Sequence, residues 1–203
     1  MSPHALTILS LGPLNSEAVA PLGQAGLAIE VIELDEKPGS PLSESGAALN
    51  RALEAATHSW ILMLRKGEGV SSELAAEIAH VAVENPGSWG FRLRTIPFYA
   101  GRPLVLGERS EGEIRLIHRK RCRFVKGKPE VNVPGTVVRL SEALRQETFS
   151  SFEEHRSFLA AHGVPHSLLR RILLFSRNAI GTGALFRSWT TMRYLWVEAG
   201  FDR

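Results

Sequence analysis

Apolar and polar positions in the first part of the chain follow two alternating periods. Leu6 to Leu11 (LTILSL) is a short apolar run closed by Gly12-Pro13, which predicts a buried strand ending in a turn. Asn15 or Ser16 can cap a helix running to about Gln24, with Gly26 as its stop. Ala28 to Leu34 (AIEVIEL) alternates and is β-branched, the pattern of a second strand. The stretch from Asp35 to Ser45 carries Pro38, Gly39, Ser40, Pro41 and Ser43 and reads as a loop. Gly46 to Ala56 is an alanine-rich helix, and Ser59 to Leu64 holds the apolar run of a third strand. Ser71 caps a further helix to about Glu84, which Asn85-Pro86-Gly87 terminates.

Three strand–helix pairs in succession imply parallel strands with helices on the sheet faces. After residue 87 the pattern changes. Trp89 to Thr95, Glu113 to Ile117 and Thr136 to Leu140 read as strands between Gly/Pro turns, so a mixed sheet is expected there. From Ser150 the pattern is helical: Phe152 to Ala161, a break at Gly163-Val164-Pro165, then Ser167 onward. The expected fold is a Rossmann-like α/β three-layer sandwich over 1–147, mostly parallel with a mixed later part. A helical C-terminal extension over 148–203 is expected to pack on it.

Composition narrows the class. A chain of 203 residues with 44% hydrophobic content suits one globular domain, or one with an extension. No apolar run is long enough to cross a bilayer, and the N-terminus lacks the basic start and apolar core of a signal peptide. A cytoplasmic, bacterial-type protein is the default expectation. The single cysteine, Cys122, excludes an internal disulfide framework and a multi-cysteine zinc site. Net charge is +3, unevenly spread: residues 1–91 hold 4 basic and 11 acidic residues (net −7), and residues 92–128 hold 11 basic and 3 acidic (net +8). The positive middle favours an anionic ligand or surface.

Ligands of open α/β sheets bind at the carboxyl ends of strands, which makes the loop Arg65-Lys66-Gly67-Glu68 after the third strand the first candidate site. The run Asn50-Arg51-Ala52-Leu53, then Ser59 to Leu64, then Glu68-Gly69-Val70-Ser71-Ser72-Glu73-Leu74 resembles inverting family 2 glycosyltransferases of the GT-A fold. The branch it looks most like is that of lipopolysaccharide-core β-glucosyltransferases. Tyr99-Ala100-Gly101-Arg102 resembles that branch's Gly-Arg turn, and Ile114 to Arg119 its Arg-Leu-Phe-Arg-Arg strand. Pro129-Glu130 with Gly135 to Leu140 resembles its His-Glu…Gly…Leu segment, and Phe149 to Phe158 the helix that follows.

The resemblance implies a nucleotide-sugar donor, a divalent metal, and a cell-envelope glycan or glycolipid acceptor. It also implies an Asp-x-Asp motif in this loop, whose carboxylates hold Mg²⁺ or Mn²⁺ against the donor diphosphate. Here those positions carry Arg65 and Gly67, neither of which offers a hard cation the oxygen ligand it needs. Glu68 supplies one carboxylate at most. Two readings follow. Arg65 and Lys66 replace the metal as fixed cations on the diphosphate, or ordinary metal-dependent catalysis is lost and the protein is a non-catalytic binding relative. The resemblance further places Glu33 or Asp35 toward the nucleoside, followed by Ser40 and Glu44, with Asn50 on the same donor side. It places Glu111 or Glu113 as general base on the acceptor hydroxyl, with Arg115 and Glu130 on the acceptor side. Pro129 stands where the family keeps histidine.

Other constellations are less specific. Arg119 to Lys128 is the strongest basic run, interrupted by Phe124 alone among aromatics; it reads as a solvated edge hairpin, or a contact for anionic lipid or sugar phosphate, rather than a nucleic-acid site. Residues 168–196 mix Leu, Phe and Trp with arginines at helical spacing, which suits packing on the domain or peripheral contact with an anionic membrane. His162 and His166 have metal-ligand spacing, but Gly163 and Pro165 between them break the helix. His118 reads as structural, and Cys122, lying among cations, would have a lowered pKa if exposed.

Overall fold

The computed structural model describes residues 4–34, 42–84, 87–104, 111–125, 130–151, 153–155 and 157. Asp35, Ser40, Pro129, His162, His166 and the C-terminal segment 168–196 lie outside the described residues. The strands are β1 (Ala5–Leu11), β2 (Ala28–Leu34), β3 (Trp60–Arg65), β4 (Glu68–Gly69) and β5 (Gly90–Tyr99). They continue with β6 (Arg102–Pro103), β7 (Glu113–His118), β8 (Arg123–Phe124), β9 (Val131–Asn132) and β10 (Val137–Phe149). The helices are α1 (Ala20–Gln24), α2 (Leu42–Ala55) and α3 (Ser72–Glu84).

Two compact units emerge, one of residues 1–95 and 111–145, the other of residues 96–110 and 146–203. The first holds β1, β2, β3, β4 and β7 with the start of β5 and most of β10, and the sheet orders its strands as β2-β1-β3-β7-β5-β10-β4. β1 pairs in parallel with both β2 and β3, and β7 then runs antiparallel to both β3 and β5. The sheet is therefore parallel where the sequence shows strand–helix pairs and antiparallel beyond them, the mixed α/β arrangement expected.

The sheet is a middle layer. Leu6, Ile8, Leu62, Leu64 and Leu116 form one apolar cluster with Leu22 of α1 and Leu74, Ala75, Ile78 and Val81 of α3. Leu9, Ile61, Met63 and Ile117 form a second cluster with Leu49, Ala52 and Leu53 of α2 and with Cys122 and Phe124. Successive strand residues point to opposite faces, so the unbroken apolar run of β3 is what a strand buried on both sides requires.

Several elements differ from expectation. The single helix expected over 16–24 is split. Asn15 accepts from the Glu17 N–H at 3.0 Å and caps a 3₁₀ turn over Ser16–Ala18, and α1 follows with a proline in its first turn. Helix α2 begins at Leu42, four residues before the expected Gly46. β10 is 13 residues long and extends well past the expected Thr136–Leu140.

In the second unit, β6 folds back on the end of β5, pairing Phe98 with Pro103 and Tyr99 with Arg102 around a turn at Ala100-Gly101. The Ala100 N–H donates to the Phe149 carbonyl at 2.9 Å, and the Phe149 ring stacks on His155 with centroids 4.2 Å apart.

Candidate functional site

The three parallel strands end in register: Leu11 of β1 lies beside Leu34 of β2 on one side and Arg65 of β3 on the other. Their carboxyl ends form one edge. Gly12 follows β1 with φ +98, a conformation glycine adopts without strain, and its N–H donates to the Leu34 carbonyl at 3.1 Å. The Lys66 N–H donates to the Leu11 carbonyl at 3.2 Å, and a Cβ on Gly12 would sit 3.5 Å from that of Lys66. The Ser10 hydroxyl donates to the Gly12 carbonyl at 2.7 Å. Hydrogen bonds thus hold the turns after β1 and β3 against each other.

Four charged side chains converge beside this edge. β7 runs antiparallel to β3 with Leu62 opposite Leu116, and Arg65 at the end of β3 meets Glu113 at the start of β7. Their side chains meet as a fork: Arg65 Nη2 donates to Glu113 Oε2 at 2.8 Å and Nη1 to Oε1 at 3.3 Å. The pair is open to solvent, 52% and 57% exposed. Beneath it lies a buried pair, Arg115 Nη2 on Glu68 Oε1 at 2.9 Å, with side chains 4% and 1% exposed. Glu68 Oε2 also accepts the Arg65 N–H at 2.7 Å, so the turn Lys66-Gly67 is closed by its own carboxylate.

Arg115 reaches Glu68 from a β-bulge. Phe91 pairs with Leu116 but Arg92 with Ile114, which leaves Arg115 as the extra residue on β7. A bulge redirects a side chain and increases local twist. Arg115 Nε comes within 3.2 Å of Glu113 Oε2, yet the geometry leaves that buried nitrogen without a hydrogen bond. Burial pulls the guanidinium below its ordinary pKa; Arg65 adds repulsion, and Glu68 and Glu113 oppose both.

The resemblance implies Arg65, Lys66 and Glu68 on a donor diphosphate and Glu113 and Arg115 on the acceptor side; the structure joins four of these in one network, with Lys66 exposed next to it. Glu33 is exposed at the end of β2, where it accepts the Leu14 N–H at 3.4 Å. Glu111 is exposed two residues ahead of β7. Glu130 is exposed, and its carbonyl accepts the Val125 N–H. Asn50 points elsewhere: its amide exchanges two hydrogen bonds with the backbone of Phe124, both at 2.9 Å, and ties α2 to β8. The turn at Gly12, absent from the sequence-derived site, carries one signal that could have found it, a Gly-Pro directly after the first apolar run.

The donor set does not fit Mg²⁺ or Mn²⁺. Glu68 is buried on Arg115, the two positions where the resemblance expects aspartate hold Arg65 and Gly67, and among the described residues no three His, Cys, Asp or Glu side chains cluster. Within the basic run, Arg123 and Phe124 of β8 pair antiparallel with Asn132 and Val131 of β9. Arg121 lies 4.8 Å over the Trp89 ring, and Arg123 donates to the Arg119 and Cys122 carbonyls at 2.7 Å. Cys122 is buried rather than exposed. Burial raises its thiol pKa, and Sγ donates to the Trp89 carbonyl at 3.1 Å, so a lowered value does not apply.

The fold and edge define an α/β protein with a charged cluster at the carboxyl ends of its parallel strands. No family model matches the chain, and no curated protein matches it. Among solved structures it is similar to S. aureus TarS residues 1–349, at 13% identity and TM-score 0.39, over 96% of this chain and 78% of that one. The same protein in complex with UDP-GlcNAc matches at 14% identity and TM-score 0.40, covering 96% and 79%. Its complex with UDP matches at 12% and 0.38, covering 91% and 75%. Similarity of this degree leaves the reading of the site to the chain's own residues.

Proposed function

We propose that this protein is glycosyltransferase-like and binds a nucleotide-sugar at the carboxyl edge of β1, β2 and β3, with Arg65 and Lys66 on the diphosphate in place of a metal. The observation that carries this is the placement of two adjacent exposed cations at the end of the central strand β3, one of them presenting a two-pronged guanidinium. A guanidinium fork matches two phosphate oxygens, and an ammonium adds a point charge. Fixed cations of this kind stabilise the charge that develops on a departing diphosphate. In this reading Glu33 or Asp35 serves the nucleoside, and Glu111 or Glu113 the acceptor hydroxyl. The acceptor is a cell-envelope glycan or glycolipid, met from the cytoplasmic side with peripheral membrane contact through residues 168–196.

A second reading, a non-catalytic relative that binds nucleotide, glycan or protein through the same edge, is favoured by one observation. Both Glu113 oxygens already face guanidinium groups, so this carboxylate is engaged with Arg65 and Arg115 rather than directed at an acceptor.

Calorimetric titration of UDP-, GDP- and dTDP-linked hexoses, with Mn²⁺ and again with a chelator, tests the proposal. Binding is expected to be equal in both and to weaken at least tenfold in Lys66→Ala. Binding that requires metal, or no binding to any member of the panel, refutes it. Hydrolysis or transfer in the presence of glycolipid extracts separates the two readings.

A further inference from the structure

We infer that Glu113 is a built-in competitor for the diphosphate: it holds the Arg65 guanidinium as a phosphate would, and an incoming diphosphate displaces it onto Arg115. The inference rests on the nucleotide-sugar reading and adds to it a specific exchange of partners.

The first support is shape. A carboxylate and a phosphate present two oxygens to a guanidinium in the same planar, two-bond manner. Arg65 meets Glu113 in that manner, through Nη1 and Nη2, at the strand end where the ligand is expected. The second support is exposure. The pair lies in water, where an ion pair contributes only about 0–1 kcal/mol. A doubly charged diphosphate, held also by Lys66, has more to offer the same guanidinium.

The third support is where Glu113 goes. Arg115 is anchored by the buried Glu68, so it does not move with the ligand. Its Nε–H is buried, lacks a hydrogen-bond partner, and already lies 3.2 Å from Glu113 Oε2. A small side-chain rotation of Glu113 away from Arg65 brings that contact into line. The exchange therefore satisfies a buried donor that the Arg65–Glu113 pairing leaves unsatisfied, and leaving such a donor unpaired is costly. No covalent bond is made or broken: Arg65 trades one anion for another, while Arg115 keeps Glu68 and gains the hydrogen bond to Glu113.

The test is calorimetric titration with UDP and with inorganic pyrophosphate, under chelator, on the wild-type chain, Glu113→Gln, Arg65→Ala and the double variant. Glu113→Gln keeps the size of an exposed side chain and removes its charge, and its thermal midpoint serves as the folding control. The expected result is at least threefold tighter binding in Glu113→Gln, weaker binding in Arg65→Ala, and no gain from Glu113→Gln once Arg65 is gone. Pyrophosphate behaving like UDP assigns the exchange to the diphosphate; a gain confined to UDP overturns that assignment. Wild-type binding that Glu113→Gln leaves unchanged or weakens overturns the exchange while the nucleotide-sugar reading stands. A wild-type chain that binds neither probe overturns both.

Discussion

At the scale of single residues, burial separates two ion pairs that look alike in the sequence. Arg115–Glu68 is buried on both sides, whereas Arg65–Glu113 is half in solvent. Removing one member of a buried pair strands a charge and costs about 3–5 kcal/mol, while exposed pairs contribute about 0–1 kcal/mol. Glu68→Gln should therefore lower the urea midpoint by the equivalent of several kcal/mol, and Glu113→Gln should leave it nearly unmoved. Equal losses would contradict the burial difference. Little of this was legible beforehand. Glu68 shows in the sequence as the one carboxylate left in an eroded loop, but its partner lies 47 positions away. Only the pairing of β3 with β7 brings them together, and strand register between distant segments is not written in local pattern.

His118 gives the residue scale a pH signature. The ring meets Trp60 and Trp89 edge-on, with centroids 5.2 and 5.0 Å away, and its Nδ1 is buried without a hydrogen bond. Burial, then the charges of Arg121, Lys120 and Arg119, hold its pKa below the ordinary 6.5. The folded chain thus binds this proton less readily than the unfolded chain. Stability linked to the ring is complete above about pH 6.5 and declines as pH falls through that value. Urea midpoints at pH 7.5 and 5.5 should differ less in His118→Gln than in the wild-type chain. An unchanged difference would show that the ring has no part in the pH dependence.

At the scale of elements, the turn ahead of β7 positions the cluster. Gly112 has φ +82, and a Cβ there would lie 2.6 Å from the Leu93 carbonyl oxygen on β5. Its own carbonyl accepts from Arg92 at 3.2 Å. Gly112→Ala meets both a strained backbone and a backbone clash, and a strained φ alone costs about 1–3 kcal/mol. A fall in melting temperature, with diphosphate affinity altered because Glu113 is the next residue, is the expected outcome; an unchanged melt would mean the turn yields freely. The elements themselves were more legible than their ends. β3 was plain because five apolar residues in a row between turn signals suit a strand buried on both faces. β10 was cut short because Ser141-Glu142 interrupts its apolar pattern. Both residues are exposed, and their N–H groups donate to Glu77 of α3 at 2.8 and 3.0 Å, a tertiary contact that local pattern does not show.

At the scale of the whole molecule, the acid-rich first segment and base-rich middle that composition shows are joined by the fold, since β3 and β7 belong one to each. The three-layer arrangement makes a prediction that a two-layer one does not. Ile61 and Leu62 are neighbours on β3, both fully buried, but Ile61 packs under α2 and Leu62 under α1 and α3. Truncating a buried Leu or Ile to Ala costs about 2–5 kcal/mol through lost burial and the cavity left behind. Each of Ile61→Ala and Leu62→Ala should fall in that range when unfolding is followed in urea. Because the two side chains face separate clusters, the double variant should lose their sum to within about 0.5 kcal/mol. If the face under α2 were open to water, Ile61→Ala would cost far less than Leu62→Ala. A strongly sub-additive pair would instead mean that the two layers share one cavity. Either result would contradict a sheet sealed on both sides.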